Sequence, residues 1–445
     1  MGTRERDVRA SSDHRDGQAK GDRMRGSGLR VVRRHLALSV VLVWLLTAAL
    51  AGGARAAGGD LDPTFGLDGK VTTGFVGGAT AWSVAIQPDR KIVAVGQAAA
   101  TFGLARYHID GSLDTTFNGT GKVTTDFTAG EDSARGVAIQ ADGKIVAVGH
   151  ANFERFAIAR YNTDGSPDAT FSGDGKVITN FTAGSDTANG VAIQANGKIV
   201  VVGHANPHLA AARYNSDGTL DTTFGGDGKV TTTFPGFGGS VAYGVAIQSD
   251  GRIVAAGEAT TGNGFALARF RGDGSLDPRF SGDGKVITQF ADGFGGGARA
   301  VAVQLDGKIV AAGTAGDIFG PFALVRYTTR GQLDPTFGGD GKVTANMGRG
   351  EESATGVAIQ ANGKIVAAGY AGVPHEGGDA WNGFFALARF RTSGVLDSTF
   401  GGSGKVRTRF SVGLTLAMAV AIQANGKIVA AGWAGGRFGL ARYLN

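Results

Sequence analysis

The chain has 445 residues, of which 77 are glycine, 9 are proline and none is cysteine. The absence of cysteine excludes disulfide bonds, thiolate catalysis, iron–sulfur clusters and thiolate-ligated zinc. The formal charge of +6 comes entirely from residues 1–56 and the remainder is formally neutral, so nothing indicates a nucleic acid as partner.

The first segment has the order of an export signal. Its basic start leads into an uncharged apolar stretch, residues 36–51, and then into Ala54-Arg55-Ala56. The apolar stretch is shorter than the ~20 residues that a membrane span needs. We therefore predict that residues 1–56 form a signal peptide with an extended basic n-region, and that a secreted mature protein without a membrane span begins near Ala57. An uncleaved anchor is the alternative.

Residues 57–445 contain one unit repeated seven times. In the second copy its four extended runs cover residues 136–140 (run A), 144–149 (B), 156–161 (C) and 176–181 (D). The Gly-Lys-Val that opens run D recurs every 52–63 residues. A period this long with four strands is typical of a propeller blade. We predict a single all-β domain, a seven-bladed β-propeller of four-stranded antiparallel blades.

The chemistry of the runs predicts their order within a blade. A and B are almost wholly apolar, as strands are when both faces are covered, whereas D alternates between apolar and polar residues. A is therefore innermost and D outermost. A D-like run, residues 70–75, precedes the first A run, and the last unit, residues 418–443, has no D run. We predict that this N-terminal strand completes the seventh blade and closes the ring.

One arginine and one aspartate recur in every unit. A repeated pair is expected of a scaffold, because planar guanidinium groups make paired hydrogen bonds to carboxylates and seven equivalent catalytic sites are implausible. We predict structural ion pairs between Arg106, Arg160, Arg213, Arg269, Arg326, Arg389 and Arg442 and the corner residues Asp62, Asp114, Asp168, Asp221, Asp277, Asp334 and Asp397.

With its unit G-V-A-I-Q-x-D-G-K-I-V-A-x-G followed by A-R-Y-x-x-D-G-x-L-D-x-x-F-G-x-D-G, the chain resembles the delta-60 repeat family of bacterial proteins over residues 60–445. It is more distantly similar to NHL-type propeller repeats. The resemblance implies a propeller, often extracellular, and no particular activity.

Few residues suggest a catalytic or metal-binding site. His150 and His204 follow run B at equivalent places in neighbouring blades, where zinc binding or base catalysis is conceivable, but the same place holds unrelated residues in other blades. No serine nucleophile motif or carboxylate pair stands out. We predict no catalytic residue, no metal and no cofactor.

The connections between runs indicate where a ligand would bind. The A-to-B turns and C-to-D corners follow one template, whereas the B-to-C and D-to-A connections, on the opposite face, differ in every blade. Binding residues concentrate on variable loops, and tryptophan often dominates binding energy. Candidate ligand-binding residues are therefore Trp381, in the longest connection (371–383), Tyr370, Trp433, His150 and His204.

Two functions stay open. The first is a monomeric, exported, non-enzymatic scaffold that binds a protein, polysaccharide or small molecule through the variable face. The second is a secreted hydrolase or lyase with its site at the mouth of the central channel. Polar residues converging from several blades would favour the enzyme.

Overall fold

The computed structural model describes residues 56–181, 184–234, 238–259, 264–290, 296–316, 320–348, 350–374, 381–410 and 413–445. These residues form 28 strands and contain no helix, so no helix among them could cross a membrane. The strands fall into four sets that correspond to runs A to D. The A strands are β2 (Ala79–Ile86), β6 (Asp132–Ile139), β10 (Asp186–Ile193), β14 (Ser240–Ile247), β18 (Gly296–Val303), β22 (Glu351–Ile359) and β26 (Thr415–Ile422). The B strands are β3 (Ile92–Ala98), β7 (Ile145–Ala151), β11 (Ile199–Ala205), β15 (Ile253–Ala259), β19 (Ile309–Ala315), β23 (Ile365–Pro374) and β27 (Ile428–Ala434). The C strands are β4 (Thr101–Tyr107), β8 (Arg155–Tyr161), β12 (His208–Tyr214), β16 (Phe265–Phe270), β20 (Phe322–Tyr327), β24 (Trp381–Phe390) and β28 (Phe438–Tyr443). The D strands are β5 (Lys122–Thr125), β9 (Lys176–Thr179), β13 (Lys229–Thr232), β17 (Lys285–Thr288), β21 (Lys342–Ala345), β25 (Lys405–Thr408) and, from the start of the domain, β1 (Lys70–Thr73).

The blades are seven antiparallel sheets, each with the strand order A-B-C-D. The A strands of neighbouring blades contact each other all the way round the ring, from β2 through β26 and back to β2. The predicted fold class and strand order are confirmed, with A lining the central channel.

The N-terminal strand closes the ring as predicted. β1 pairs antiparallel with β28, with Lys70 opposite Ala441 and Thr73 opposite Phe438. The seventh blade thus takes its D strand from the start of the domain and the other three strands from its end. This pairing covers the strand edge that the last unit would otherwise expose.

The A strands begin earlier than predicted. The expected run in the second blade covers residues 136–140, but β6 begins at Asp132. These strands are also only partly buried, because one side faces the channel, whereas the B strands are buried almost throughout. The additional residues bring polar side chains into the channel wall.

The apolar core lies between the blades. Seven buried clusters each draw residues from two adjacent blades. One of them joins Val93 and Val95 of β3 to Ile145 and Ala147 of β7. Since each sheet buries both faces against its neighbours, the ring is stabilised as one unit.

The A-to-B turns and the C-to-D corners lie together on one face, here called the corner face. Each corner contains an arginine that binds the corner aspartate, an arrangement here called the arginine clamp. The aspartate carboxylate lies 2.6–2.9 Å from the arginine of its corner and 2.5–3.1 Å from the basic residue that precedes strand B. The guanidinium also stacks on the corner phenylalanine at 4.5–4.8 Å. Arg160 further donates to the carbonyl of Ser216 in the next blade. The clamp therefore links blades as well as bracing its own corner.

The opposite face, here called the variable face, carries the B-to-C and D-to-A connections. The longest, in the sixth blade, is more regular than predicted, because β23 runs to Pro374 and β24 begins at Trp381, opposite it in the ladder. Residues 375–380 lie outside the described part of the chain.

Candidate ligand-binding site at the channel mouth

Every A strand carries a β-bulge at the same position. In β6 the pairing with β7 passes from Ala134 opposite Gly149 to Gly136 opposite Val148, so that Arg135 has no partner in the ladder. At a bulge the side chain points in a different direction from the one that the regular alternation of a strand would give it. The seven bulged residues are Trp82, Arg135, Asn189, Tyr243, Arg299, Thr355 and Met418.

A glycine on strand B makes room for each bulge. A Cβ atom on Gly149 would lie 1.9 Å from the carbonyl oxygen of Ser133. The same conflict, at 1.8–1.9 Å, would arise at Gly96, Gly203, Gly257, Gly313, Gly369 and Gly432. The glycine near the end of every B strand is therefore required by the bulge that faces it.

The bulged residues meet in one cavity of about 960 Å³ at the mouth of the channel. All seven of them line it, and further lining residues come mostly from blades four to seven. The volume falls in the range of ~300–1,000 Å³ that is usual for small-molecule sites. The bulged position thus carries a different residue in almost every blade, and all seven side chains line the same cavity.

Three polar side chains on the wall formed by blades four and five interact with one another. Tyr243 donates its hydroxyl to Glu258 at 2.8 Å, and Arg299 pairs with the same carboxylate at 3.3 Å. The Arg299 guanidinium stacks on the Tyr243 ring at 4.3 Å. Burial lowers the pKa of Arg299, but Tyr243 and Glu258 outweigh it and raise that pKa overall. Burial also raises the pKa of Tyr243 to about 12.

A similar arrangement lies on the wall formed by blades one and two, but it lacks a carboxylate. Arg135 stacks on the ring of Trp82 at 4.1 Å. Its Nε atom and the Trp82 Nε1 atom are buried donors without a hydrogen-bond partner. Burial lowers the pKa of Arg135, against the opposing effect of Glu131. Among the described residues, no carboxylate forms an ion pair with Arg135.

The wall at blade six is acidic. Glu351 and Glu352 both line the cavity, and burial raises the pKa of each carboxyl. Glu352 accepts a hydrogen bond from the backbone of Met347 at 2.7 Å through Oε2, while its Oε1 has no partner. Tyr370 lies on the same wall, and its pKa is raised by burial.

The structure places the five predicted site residues differently. Tyr370 lines the cavity, whereas His150, His204 and Trp433 occupy its equivalent position in their own B strands without lining it. The backbone of Trp381 lies at the start of β24, and its side chain is outside the described part of the chain. Their role in binding stays a prediction.

His150 is almost fully buried. It stacks on Phe153 at 4.4 Å, and neither of its ring nitrogens has a partner. Burial, with smaller contributions from Arg135 and His204, lowers its pKa to about 4, so the imidazole is neutral at pH 7. Within the described ranges no three His, Asp or Glu residues cluster as metal ligands would.

Sequence reasoning missed the bulged ring. A usable signal was present, since the position directly before the (Gly/Ala/Ser)-Val-Ala motif changes in almost every copy while its neighbours stay nearly constant. Variation at one position of an otherwise uniform strand indicates a side chain that the scaffold does not need for packing.

The repeats match one protein family, described as "Domain of unknown function (DUF5122) beta-propeller", over just over half of the chain. The matched segments are residues 87–117, 140–171, 194–224, 248–280, 304–337, 360–400 and 423–445. The chain belongs to this DUF5122 β-propeller family. The expectation of a repeat-propeller family is thereby confirmed. None of the curated proteins compared with this DUF5122 propeller matches it.

Solved structures similar to this DUF5122 propeller include selenomethionine-substituted virginiamycin B lyase from Staphylococcus aureus. That enzyme is 10% identical, with a TM-score of 0.52, and the match covers 84% of this chain and 98% of the lyase chain. A catalytically inactive virginiamycin B lyase from the same organism, with quinupristin, is 11% identical with a TM-score of 0.52, covering 84% and 99% of the two chains. At such identity the likeness shows the fold alone.

Proposed function

We propose that this protein is an exported, non-enzymatic binding propeller that takes a small ligand into the cavity at the channel mouth, on its variable face. The observation that carries the proposal is the convergence of seven bulged side chains, contributed by all seven blades, on one space. Export is supported by the charge and apolar order of residues 1–56.

The shape of the site favours a small molecule, or the end of a longer one, over a large flat partner. The lining combines aromatic and apolar side chains with charged and polar groups held at fixed places, and the polar groups can orient a ligand while the apolar surface contributes to affinity. The rigid ring also pre-organises these groups, which lowers the entropic cost of binding.

A second candidate function, catalysis at the channel mouth, is favoured by one observation. Polar groups of two blades, Tyr243, Glu258 and Arg299, do converge within hydrogen-bonding distance. However, they satisfy one another, and the raised pKa of Tyr243, about 12, makes it a poor proton donor at neutral pH. The likeness to lyases concerns the fold alone, so binding is the better-supported proposal.

A ligand screen tests the proposal. Purified protein would be screened by saturation-transfer NMR against organic acids, short peptides, amines and oligosaccharides. The Asn189→Trp/Met418→Trp variant fills the cavity from two sides at positions where the backbone already accepts tryptophan, as Trp82 shows. Leu305→Ser, at an exposed turn of the corner face, is the matched control.

The proposal expects at least one compound whose binding is lost in the filled variant and kept in Leu305→Ser. It fails if no compound binds, or if every compound that binds does so equally to the filled variant. Turnover of a bound compound, abolished by Glu258→Gln, would instead favour the enzyme.

A further inference from the structure

Two walls of the cavity have the same arrangement of residue types. Blades four and five contribute an aromatic residue and an arginine at the bulged positions, Tyr243 and Arg299, and blades one and two contribute Trp82 and Arg135 at the equivalent positions. In both walls the guanidinium stacks on the aromatic ring of the preceding blade, at 4.3 Å and 4.1 Å. The two walls differ in what neutralises the arginine.

In blades four and five the neutralising group is Glu258, the sixth residue of β15. The sixth residue of β3, at the equivalent place beside Arg135, is Gln97. Its amide donates to Glu131 at 2.7 Å. One wall therefore contains its own carboxylate, and the other has a neutral residue at that position.

A neighbouring residue also differs between the two walls. Beside Glu258 lies Gly297, where a Cβ atom would come within 2.6 Å of the Glu258 Cβ. The equivalent residue beside Gln97 is Ser133, which has a Cβ and whose buried hydroxyl has no partner. Blades four and five thus have a glycine beside the carboxylate, where blades one and two have a residue with a side chain.

The wall of blades one and two therefore carries a guanidinium whose buried Nε has no acceptor and an adjacent buried indole N–H that also lacks one. Buried donors of this kind cost free energy unless a partner satisfies them. An anionic oxygen pair suits both, because guanidinium groups bind carboxylates through paired, charge-assisted hydrogen bonds.

The residues next to this wall define the rest of the ligand. Blade seven, which adjoins blade one, lines the cavity with Leu414, Leu416 and Met418. These side chains and the face of Trp82 offer an apolar surface beside the unpaired donors. The complementary molecule has an apolar or aromatic body next to its charged end.

We propose that the cavity binds an organic carboxylate with an apolar or aromatic body. The ligand carboxylate lies beside Arg135 and Trp82, in the position that corresponds to that of Glu258 beside Arg299 and Tyr243. This inference rests on the proposed function and specifies the ligand class. A free carboxylic acid and the C-terminus of an apolar peptide share this chemistry.

The test uses matched pairs of probes that differ only in charge. Phenylacetate is compared with phenylacetamide, and an acetylated leucine tripeptide with a free C-terminus is compared with its C-terminal amide. Dissociation constants are measured by ligand-observed NMR titration. We expect each bound acid to bind about tenfold or more tightly than its amide. The stronger of the two acids identifies the source, free acid or peptide terminus.

Two variants remove the preference in different ways. Arg135→Gln removes the cation. The graft variant Gln97→Glu/Glu131→Gln/Ser133→Gly keeps Arg135 and the net charge, but supplies a carboxylate from within the chain, as in blades four and five. Its control, Glu131→Gln/Ser133→Gly, lacks only the new carboxylate. We expect both Arg135→Gln and the graft variant to bind acid and amide within about twofold of each other, and the control to keep the preference.

The outcomes separate this inference from the proposed function. Equal binding of acid and amide by the wild-type protein, or a preference that survives in the graft variant, would overturn the carboxylate assignment while leaving a binding site at the channel mouth. Absence of any compound whose binding the cavity-filling variant abolishes would overturn the proposed function itself. Because the graft variant keeps Arg135, failure of Arg135→Gln to fold would not prevent the decision.

Discussion

A buried carboxylate, Asp62, links the N-terminal segment to the end of the chain, and replacing it with asparagine tests how much this link contributes to closure of the ring. Asp62 lies in the N-terminal segment, 2.7 Å from Arg442 and 2.7 Å from Lys427 at the far end of the chain. It also accepts the Thr64 hydroxyl at 2.7 Å and is 1% exposed. Asparagine keeps the shape but leaves two cations without their counter-charge.

The loss follows from the pKa of Asp62, which is lowered from 3.8 to about 2 because hydrogen bonds from Lys427 and Thr64 and the charge of Arg442 outweigh its burial. At ~1.4 kcal/mol for each tenfold change in proton affinity, this is worth roughly 2 kcal/mol of folding free energy. Removing one partner of a buried ion pair typically costs ~3–5 kcal/mol. We therefore expect Asp62→Asn to lower the free energy of unfolding by about 3 kcal/mol at pH 7.

Urea unfolding at several pH values is the assay. Since the folded-state pKa lies below the unfolded one, the stabilisation is complete well above pH 4 and is lost as the pH falls from about 4 towards 2. The difference between wild type and variant should shrink over the same range.

Asp168→Asn is the matched control, because Asp168 makes the same contacts with Arg160 and Lys144 within its own stretch of chain. Both variants should be destabilised, but only Asp62→Asn should speed hydrogen exchange in β1 and β28. Equal exchange in these strands in both variants, or an unchanged unfolding midpoint for Asp62→Asn, would refute the role of Asp62 in closure.

Three further predictions concern the scaffold and the leader. Gly203→Ala should destabilise the protein by at least about 2 kcal/mol, because the new Cβ would lie 1.8 Å from the Thr187 carbonyl oxygen, whereas Gly272→Ala, with open space around it, should change the urea midpoint little. Tyr327→Phe should cost about 1 kcal/mol by removing the partner of the Thr288 hydroxyl, and adding Thr288→Ala should restore most of it, since Phe390 and Ala345 already pack together in one buried cluster. N-terminal sequencing of exported protein should begin near Ala57, and a soluble cytoplasmic product that retains residues 36–51 would contradict export.

The fold could be predicted because each blade repeats the same local signals. Residues 70–75 have the pattern of a D strand and the last unit lacks one, so closure followed from counting strands. The recurring arginine and aspartate likewise indicated a bond within each unit, and the structure has one in every corner.

The candidate site was less accessible to sequence reasoning. The first half of strand β6 was predicted to be part of a loop. It consists of Asp132-Ser133-Ala134-Arg135, and its bulge interrupts the alternation of apolar and polar residues on which strand prediction depends. Whether Gln97 turns towards Arg135 or Glu131 depends on contacts between blades. No pattern along the chain contains that information, so the unpaired arginine became visible only in three dimensions.

The central claim is that ligands enter the channel mouth lined by Trp82, and fluorine NMR of protein labelled with 5-fluorotryptophan tests it most directly. The propeller contains three tryptophans, Trp82 at the mouth, Trp433 in β27 and Trp381 at the start of β24, each assignable by replacement with phenylalanine. We predict that a bound ligand shifts the Trp82 resonance and that this shift is abolished in the cavity-filling variant. A ligand that shifts Trp381 alone and leaves Trp82 unchanged would contradict the claim.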